Sequence, residues 1–214
     1  MEPVRLDIDR ALLERSWSRA WLALGAKPTA AWFDEVIARY REPQRSYHTL
    51  QHLHECIHGL EPVLALAEAP GEVEIALWFH DAIYDPKRSD NEVESARLAQ
   101  RALAAGGVAE ATIARVCRFI MVTQHAALPS TPDEQLIVDI DLAILGAAEA
   151  RFAEYEAQIR REYGWVPGWL FRRKRKAILG EFFARAPLYG TAHFHDRLEA
   201  QARRNLARAI GVAA

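Results

Sequence analysis

Residues 76–85 read A-L-W-F-H-D-A-I-Y-D, and this stretch decides the fold. Apart from His80 and Asp81, the run from Ile75 to Tyr84 is apolar. A helix that is apolar on every side is buried in the protein interior. A buried carboxylate is costly unless it is paired, hydrogen-bonded or bound to a metal. His80 and Asp81 therefore predict a polar site inside an apolar core.

A second apolar run, L-I-V-D-I-D-L-A-I-L-G at residues 136–146, has the same feature. Asp139 and Asp141 are its only polar side chains, so at least one of them should lie inside the protein. A single buried Asp is often satisfied by an arginine or by backbone donors, and that interpretation stays open. Two apolar helices that both carry acid or imidazole groups favour a shared polar centre.

Residues 47–58, Y-H-T-L-Q-H-L-H-E-C-I-H, supply histidines densely. A helix predicted to begin near Ser46 places His48 and His52, four residues apart, on one face. The same spacing pairs His54 with His58 on another face. The apolar stripe lies between the two pairs and consists of Leu50, Leu53, Ile57 and Leu60. Helix geometry alone leaves open which pair faces inward.

Helical periodicity continues along nearly the whole chain, and strand-like alternation persists nowhere for more than a few residues. The sequence predicts an all-α fold of about ten helices, arranged as antiparallel pairs with short connections. We expect a single domain over residues 1–214, with a motif-bearing core at about 45–146 and C-terminal helices at about 147–212.

Composition narrows the functional classes. Lys and Arg number 27 against 29 for Asp and Glu, so the basic excess typical of nucleic-acid binding is missing. Two cysteines without a C-x-x-C pair do not suggest a disulfide framework. No apolar stretch is long enough for a membrane span, and the N-terminus lacks the apolar region of a secretory signal. We expect a cytoplasmic protein without a membrane partner.

The ordered motifs resemble the HD superfamily of metal-dependent phosphohydrolases, and more narrowly its family of predicted HD phosphohydrolases of about this length. The resemblance lies in Y-H-x-x-x-H, then H-D at the end of an apolar helix, then D-L in a later apolar helix. The matching stretches cover most of residues 45–146 and include R-S-D-N-E-V-E-S-A and F-I-M-V-T-Q-H. An HD-type helical domain is what this resemblance implies.

The resemblance implies a metal-ligand set position by position. His52 matches the first histidine ligand, and His80 and Asp81 match the pair that names the superfamily. Asp141 matches the final ligand because it directly precedes the Leu of the D-L pattern, and Asp139 is the competing choice. Imidazole and carboxylate ligands suit Mn, Fe, Co, Ni or Zn, and Mg less well.

Catalytic roles follow less directly. In related phosphodiesterases a histidine in the position of His48 acts as general acid, and His125 matches an extra histidine near the metal or phosphate. Asp85 is a candidate for orienting or deprotonating the attacking water, which the metal activates. The substrate class implied is a phosphate ester, a nucleotide or another small phosphorylated metabolite. A homo-oligomeric state stays open.

Three further residues near the motifs have competing interpretations. Glu92 is a candidate for supporting the metal ligands from behind, although an acidic residue in the first turn of a helix is usually solvated and stabilises the helix dipole. Arg45 and Lys87 flank the motifs and are candidate phosphate contacts, with surface roles equally open.

Two rival functions compete with a phosphohydrolase. His54-Glu55-Cys56-Ile57-His58 matches the H-E-x-x-H pattern of zinc metallopeptidases. That reading leaves His80 and Asp81 unexplained, and the sequence offers no strand to bind a peptide. The other rival is a non-catalytic HD-type sensor or partner-binding module that retains the ligands and binds a metal or nucleotide.

Overall fold

The computed structural model describes residues 8–27 and 30–212. Within these residues it contains ten α-helices and no strand, which confirms the prediction of an all-α fold. The helices are α1 Arg10–Ala23, α2 Ala30–Arg39, α3 Leu50–Leu60, α4 Pro70–Phe79, α5 Asn91–Ala105, α6 Glu110–Val122, α7 Pro132–Asp141, α8 Glu149–Glu162, α9 Gly168–Ala184 and α10 Ala192–Ile210. Short 3-10 helices follow α3 at Glu61–Leu66 and α7 at Leu142–Gly146.

The chain divides into two compact units, the first ending at Leu128 and the second beginning at Pro129. The first unit holds α1 to α6 and the second holds α7 to α10. The single domain predicted from the sequence stays a prediction. None of the helices in the described ranges combines the length and the apolar composition needed to cross a bilayer.

Helix α4 lies at the centre of the first unit. Every residue from Gly71 to Phe79 is buried, and the helix contacts α1, α3, α5 and α6. The cause is the composition of residues 75–79, because a helical segment that is apolar around its whole circumference must be covered by neighbours on all sides. The H-D pair follows directly after this helix and is therefore positioned by the most enclosed element of the unit.

Two buried glutamates on α4 are held by ion pairs. Glu74 accepts hydrogen bonds from Ser16 at 2.6 Å and from Arg19 at 2.5 and 3.0 Å, which joins α4 to α1. Glu72 accepts from Arg115 at 2.5 and 2.7 Å, which joins α4 to α6. Arginine partners compensate the burial of both carboxylates. These contacts therefore fix the position of α4 relative to α1 and α6.

Helix α3 begins later than the sequence predicts. Thr49 is in an extended conformation and caps the helix, its hydroxyl accepting a hydrogen bond from the Gln51 amide at 3.3 Å. The predicted start of α3 near Ser46 is therefore wrong, because an N-cap residue has a non-helical backbone and the helix begins only after it. His52 lies on the helix, whereas His48 lies in the segment before it.

In the second unit, Thr131 and Glu134 form a capping box at the start of α7. Helix α7 ends at Asp141, and the apolar run continues to Gly146 as the 3-10 segment. This segment packs against α10, where the buried Asn205 amide donates to the carbonyls of Leu145 and Ala147 at 2.9 and 2.8 Å.

Candidate metal centre

Three ligand atoms from α3 and the end of α4 converge inside the first unit. The Nε2 atoms of His52 and His80 are 3.0 Å apart. The Oδ2 atom of Asp81 lies 3.2 Å from His52 Nε2 and 3.0 Å from His80 Nε2. Both imidazoles are buried, and Asp81 is nearly so. The structure therefore brings together His52, His80 and Asp81, which the resemblance implies as ligands.

A backbone contact prepares His80 to bind a cation. Its Nδ1 atom lies 2.8 Å from the Leu77 carbonyl oxygen, one turn earlier on α4. Because a carbonyl can only accept, Nδ1 carries the hydrogen, and in the neutral form of the ring the lone pair is on Nε2. Such an outer contact is the usual means of orienting a metal-binding histidine. The lone pair of His80 thus points toward His52 and Asp81.

Tyr40 and the histidines set the environment of Asp81. The Tyr40 hydroxyl donates to the Trp78 carbonyl and accepts from the Asp81 amide, both at 3.3 Å. Burial raises the pKa of Tyr40 to about 12, so its hydroxyl stays protonated. Burial would also raise the pKa of Asp81. Electrostatic attraction to the imidazoles of His80 and His48, with hydrogen bonds from His52 and His80, outweighs burial and holds that pKa well below its usual range.

The spacing of these atoms fits a bound divalent ion. Neighbouring ligands at right angles, with bonds of about 2.1 Å, are separated by about 3.0 Å. The three separations of 3.0, 3.0 and 3.2 Å agree with that value. Two imidazoles and one carboxylate also form a donor set suited to a transition-metal ion. This group could hold a metal ion.

Cys56 also lies beside these ligand atoms. Its Sγ atom lies 3.7 Å from His52 Nε2, and its ligand atom is within 4.8 Å of those of His52 and His80. The sequence carried a signal for this position, since Cys56 follows His52 by four residues on the same helix face.

His48 lies beside the group rather than in it. Its ring stacks on Tyr84 with centroids 4.0 Å apart and lies edge-on to the His52 ring at 5.9 Å. The side chain is half-buried, unlike those of His52 and His80. His48 can therefore contact both the ligand cluster and a molecule bound next to it.

Arg45 was predicted to contact phosphate, but its guanidinium is occupied by the protein. It donates to the carbonyls of His48, Asp81 and Ala82 at 3.0, 2.6 and 3.0 Å. It also forms two hydrogen bonds with Glu42, at 3.2 and 3.1 Å. These five contacts use the five N–H donors of the side chain. Arg45 holds the backbone around the H-D pair and has no donor left for a substrate.

The segment after the H-D pair is held by α5. Asn91 receives a hydrogen bond from the Asp85 amide and donates to the Asp85 carbonyl, both at 3.0 Å. Ser95 similarly bonds to both backbone groups of Ile83. The Asp85 carboxylate accepts from the Lys87 amide at 2.9 Å, while the Lys87 side chain is exposed. The predicted catalytic role of Asp85 and phosphate contact of Lys87 stay predictions.

Glu92 and His125 lie on the α5–α6 side of the first unit. Glu92 accepts a hydrogen bond from the Gln124 amide at 3.4 Å, so its carboxylate links the two helices. His125 follows α6 and has a φ of 56°. This left-handed conformation is uncommon outside glycine, although histidine adopts it more readily than most residues. Their predicted supporting and catalytic roles stay predictions.

The two aspartates of α7 differ in their surroundings. Asp139 is 1% exposed, and its carboxylate accepts from the Gly190 and Thr191 amides and the Thr191 hydroxyl at 2.8, 2.7 and 2.6 Å. Both oxygens thereby anchor the turn before α10, which matches the structural interpretation left open above. Asp141, at the end of α7, is partly exposed, and its role as a ligand stays a prediction.

The H-E-x-x-H pair on α3 stands apart from the cluster. The rings of His54 and His58 stack with centroids 6.2 Å apart, and among the described residues neither ring nitrogen of buried His54 has a hydrogen-bond partner. Burial, followed by the charge of His58, lowers the pKa of His54. Among the described residues, the one group of three or more potential metal ligands contains neither His54 nor His58. A metallopeptidase centre lacks its third ligand here.

Comparisons with protein-family models, with curated proteins and with solved structures find no match to this chain. Its function must therefore be argued from the ligand geometry and from the motif series.

Proposed function

We propose that this protein is a metal-dependent phosphohydrolase acting on a nucleotide or another small phosphorylated metabolite. The observation that carries the proposal is the convergence of His52 Nε2, His80 Nε2 and Asp81 Oδ2 within 3.2 Å of one another. The ordered motif series, similar to that of HD phosphohydrolases, supports the reaction class.

A divalent ion held by His52, His80 and Asp81 would make water more acidic and polarise a phosphoryl group. The protein residues around it would perform the remaining tasks. His80 is pre-oriented by the Leu77 carbonyl, so little reorganisation accompanies binding. Arg45 and Tyr40 hold the backbone of Asp81, which keeps the carboxylate beside the imidazoles.

Proton transfer to the leaving oxygen is assigned to His48. Histidine exchanges protons near neutral pH, which suits a general acid. Stacking on Tyr84 holds the His48 imidazole with its centroid 5.9 Å from that of His52, and the side chain stays half-buried. Asp85, in the turn that Asn91 secures, is the candidate for orienting the attacking water.

The test combines metal analysis with phosphate release. The purified protein is analysed for bound metal and then screened over nucleotides and small phosphate esters, with Mn, Co, Ni, Zn and Mg added separately. We expect Asp81→Asn and His80→Gln to lose bound metal and to lower phosphate release by at least about a hundredfold, because each removes a ligand. His58→Ala, an exposed histidine on the same helix, should change neither.

The rival functions give different results. Nucleotide binding without turnover, in protein that holds its metal, would replace the phosphohydrolase with a sensor. Peptide cleavage that is lost in Glu55→Ala and kept in Asp81→Asn would instead indicate a metallopeptidase. Phosphate release that survives Asp81→Asn at full rate would end the proposal.

A further inference from the structure

Cys56 occupies the position of an additional ligand beside the proposed metal centre. It follows His52 by one helical turn on α3, and its side chain is 2% exposed. Its Sγ atom lies 3.7 Å from His52 Nε2 and 3.8 Å from His52 Nδ1. Both ring nitrogens of His52 therefore lie within hydrogen-bonding range of the thiol.

These distances suit a sulfur ligand. With metal–nitrogen and metal–sulfur bonds of about 2.1 and 2.3 Å, atoms on neighbouring coordination positions lie about 3.1–3.6 Å apart. The 3.7 Å separation from His52 Nε2 is just beyond that interval, so a rotation of the Cys56 side chain would bring the sulfur into range. The sulfur is also within 4.8 Å of the ligand atom of His80, so it lies close to both imidazoles.

We propose that Cys56 contributes a thiolate to the metal held by His52, His80 and Asp81 and makes the centre selective for thiophilic ions. The inference rests on the proposed metal site and adds the class of metal. On binding, the thiol would release its proton to solvent. A thiolate favours Zn²⁺, Co²⁺ or Fe²⁺ over Mg²⁺ and Mn²⁺, which prefer oxygen ligands.

Cobalt substitution tests the thiolate directly. Chelator-treated protein is titrated with Co²⁺, and the near-ultraviolet absorption is followed for a sulfur-to-cobalt charge-transfer band. We expect the band in the unmodified protein and its loss in Cys56→Ser and Cys56→Ala. Cys117→Ser is the matched control, because this half-buried thiol lies on α6 and donates to the Ala96 carbonyl at 3.5 Å. The control should keep the full band.

Competition between metals gives a second readout. We expect Cys56→Ser to lower the ratio of Zn²⁺ to Mn²⁺ affinity by at least about tenfold, because it replaces a soft donor with a hard one. Circular dichroism verifies that both variants fold. An unchanged ratio in folded Cys56→Ser protein, or bound cobalt without the band in the unmodified protein, overturns the inference.

The proposal that Cys56 is a thiolate ligand and the proposed phosphohydrolase function can be refuted independently. Protein that releases phosphate in an Asp81-dependent way, yet binds cobalt without the band, refutes the thiolate and keeps the function. Protein that shows the Cys56-dependent band but hydrolyses no phosphate ester keeps the thiolate and refutes the function.

Discussion

Arg45 illustrates how a single residue can be misjudged from sequence. A cation next to Y-H-x-x-x-H suggests a phosphate contact, but the side chain is completely buried and its donors reach three backbone carbonyls and Glu42. Buried carbonyl groups need donors, and the planar guanidinium can serve several of them at once. The role of Arg45 is to hold the chain at His48, Asp81 and Ala82.

Arg45→Met tests this role at the scale of one residue. The substitution keeps much of the apolar stem and removes every donor, leaving the carbonyls of His48, Asp81 and Ala82 without the guanidinium. We expect the free energy of unfolding, measured by urea denaturation, to fall by about 3 kcal/mol or more. Arg45→Lys should recover only part of this loss, since an ammonium group cannot span the same acceptors.

Lys87→Met provides the control for Arg45→Met, because the Lys87 side chain is exposed whereas that of Arg45 is buried. Its free energy of unfolding should stay within about 0.5 kcal/mol of the unmodified protein. A loss below about 1 kcal/mol in Arg45→Met would contradict the structural role.

At the scale of elements, α10 organises the turn that precedes it. Glu199 on α10 accepts hydrogen bonds from the Leu188 and Tyr189 amides and from Arg203. Burial would raise the pKa of Glu199, but the bonds from Arg203 and the two amides outweigh burial and lower it. The carboxylate therefore stabilises the fold only while it is ionised.

Glu199→Gln should show this in its pH dependence. A carboxyl group whose pKa is lowered in the folded state contributes stability above its unfolded value of about 4.3, and loses that contribution as pH falls through the folded value. At pH 7 we expect Glu199→Gln to lower the free energy of unfolding by about 1–3 kcal/mol.

The deficit of Glu199→Gln should shrink as the pH of urea denaturation is lowered toward about 4 and below. Glu181→Gln, at an exposed position on α9, should show little deficit at any pH. A Glu199→Gln deficit that stays constant from neutral to acidic pH would argue against an ionised Glu199 as its source.

At the scale of the whole molecule, metal binding should couple to stability. An ion that binds the folded chain and not the unfolded chain adds about 2.7 kcal/mol at a hundredfold excess over its Kd. We therefore expect Zn²⁺ or Co²⁺ to raise the Tm of chelator-treated protein by about 5 °C or more, increasing with concentration. Asp81→Asn should respond little, and an equal rise in that variant would place the bound ion elsewhere.

Much of this protein is determined by local sequence patterns. The apolar circumference of residues 75–79 required a buried helix, and the polar pair after it required a compensated site. Periodicity and breakers predicted the all-helical fold, because both act over a few residues along one chain. The ordered histidines and aspartates identified His52, His80 and Asp81 as candidates for one centre.

Other features depended on contacts between distant segments, which no local pattern reports. Because Thr49 caps α3, His48 lies before the helix, and the four-residue spacing to His52 does not determine where the His48 side chain lies. The structural role of Asp139 became visible only through its hydrogen bonds to Gly190 and Thr191, which lie more than fifty residues away in the sequence. The sequence by itself determined which elements form and which side chains need compensation. Only the tertiary structure decided which partner compensates each one, because burial and hydrogen bonding are settled when separate helices pack.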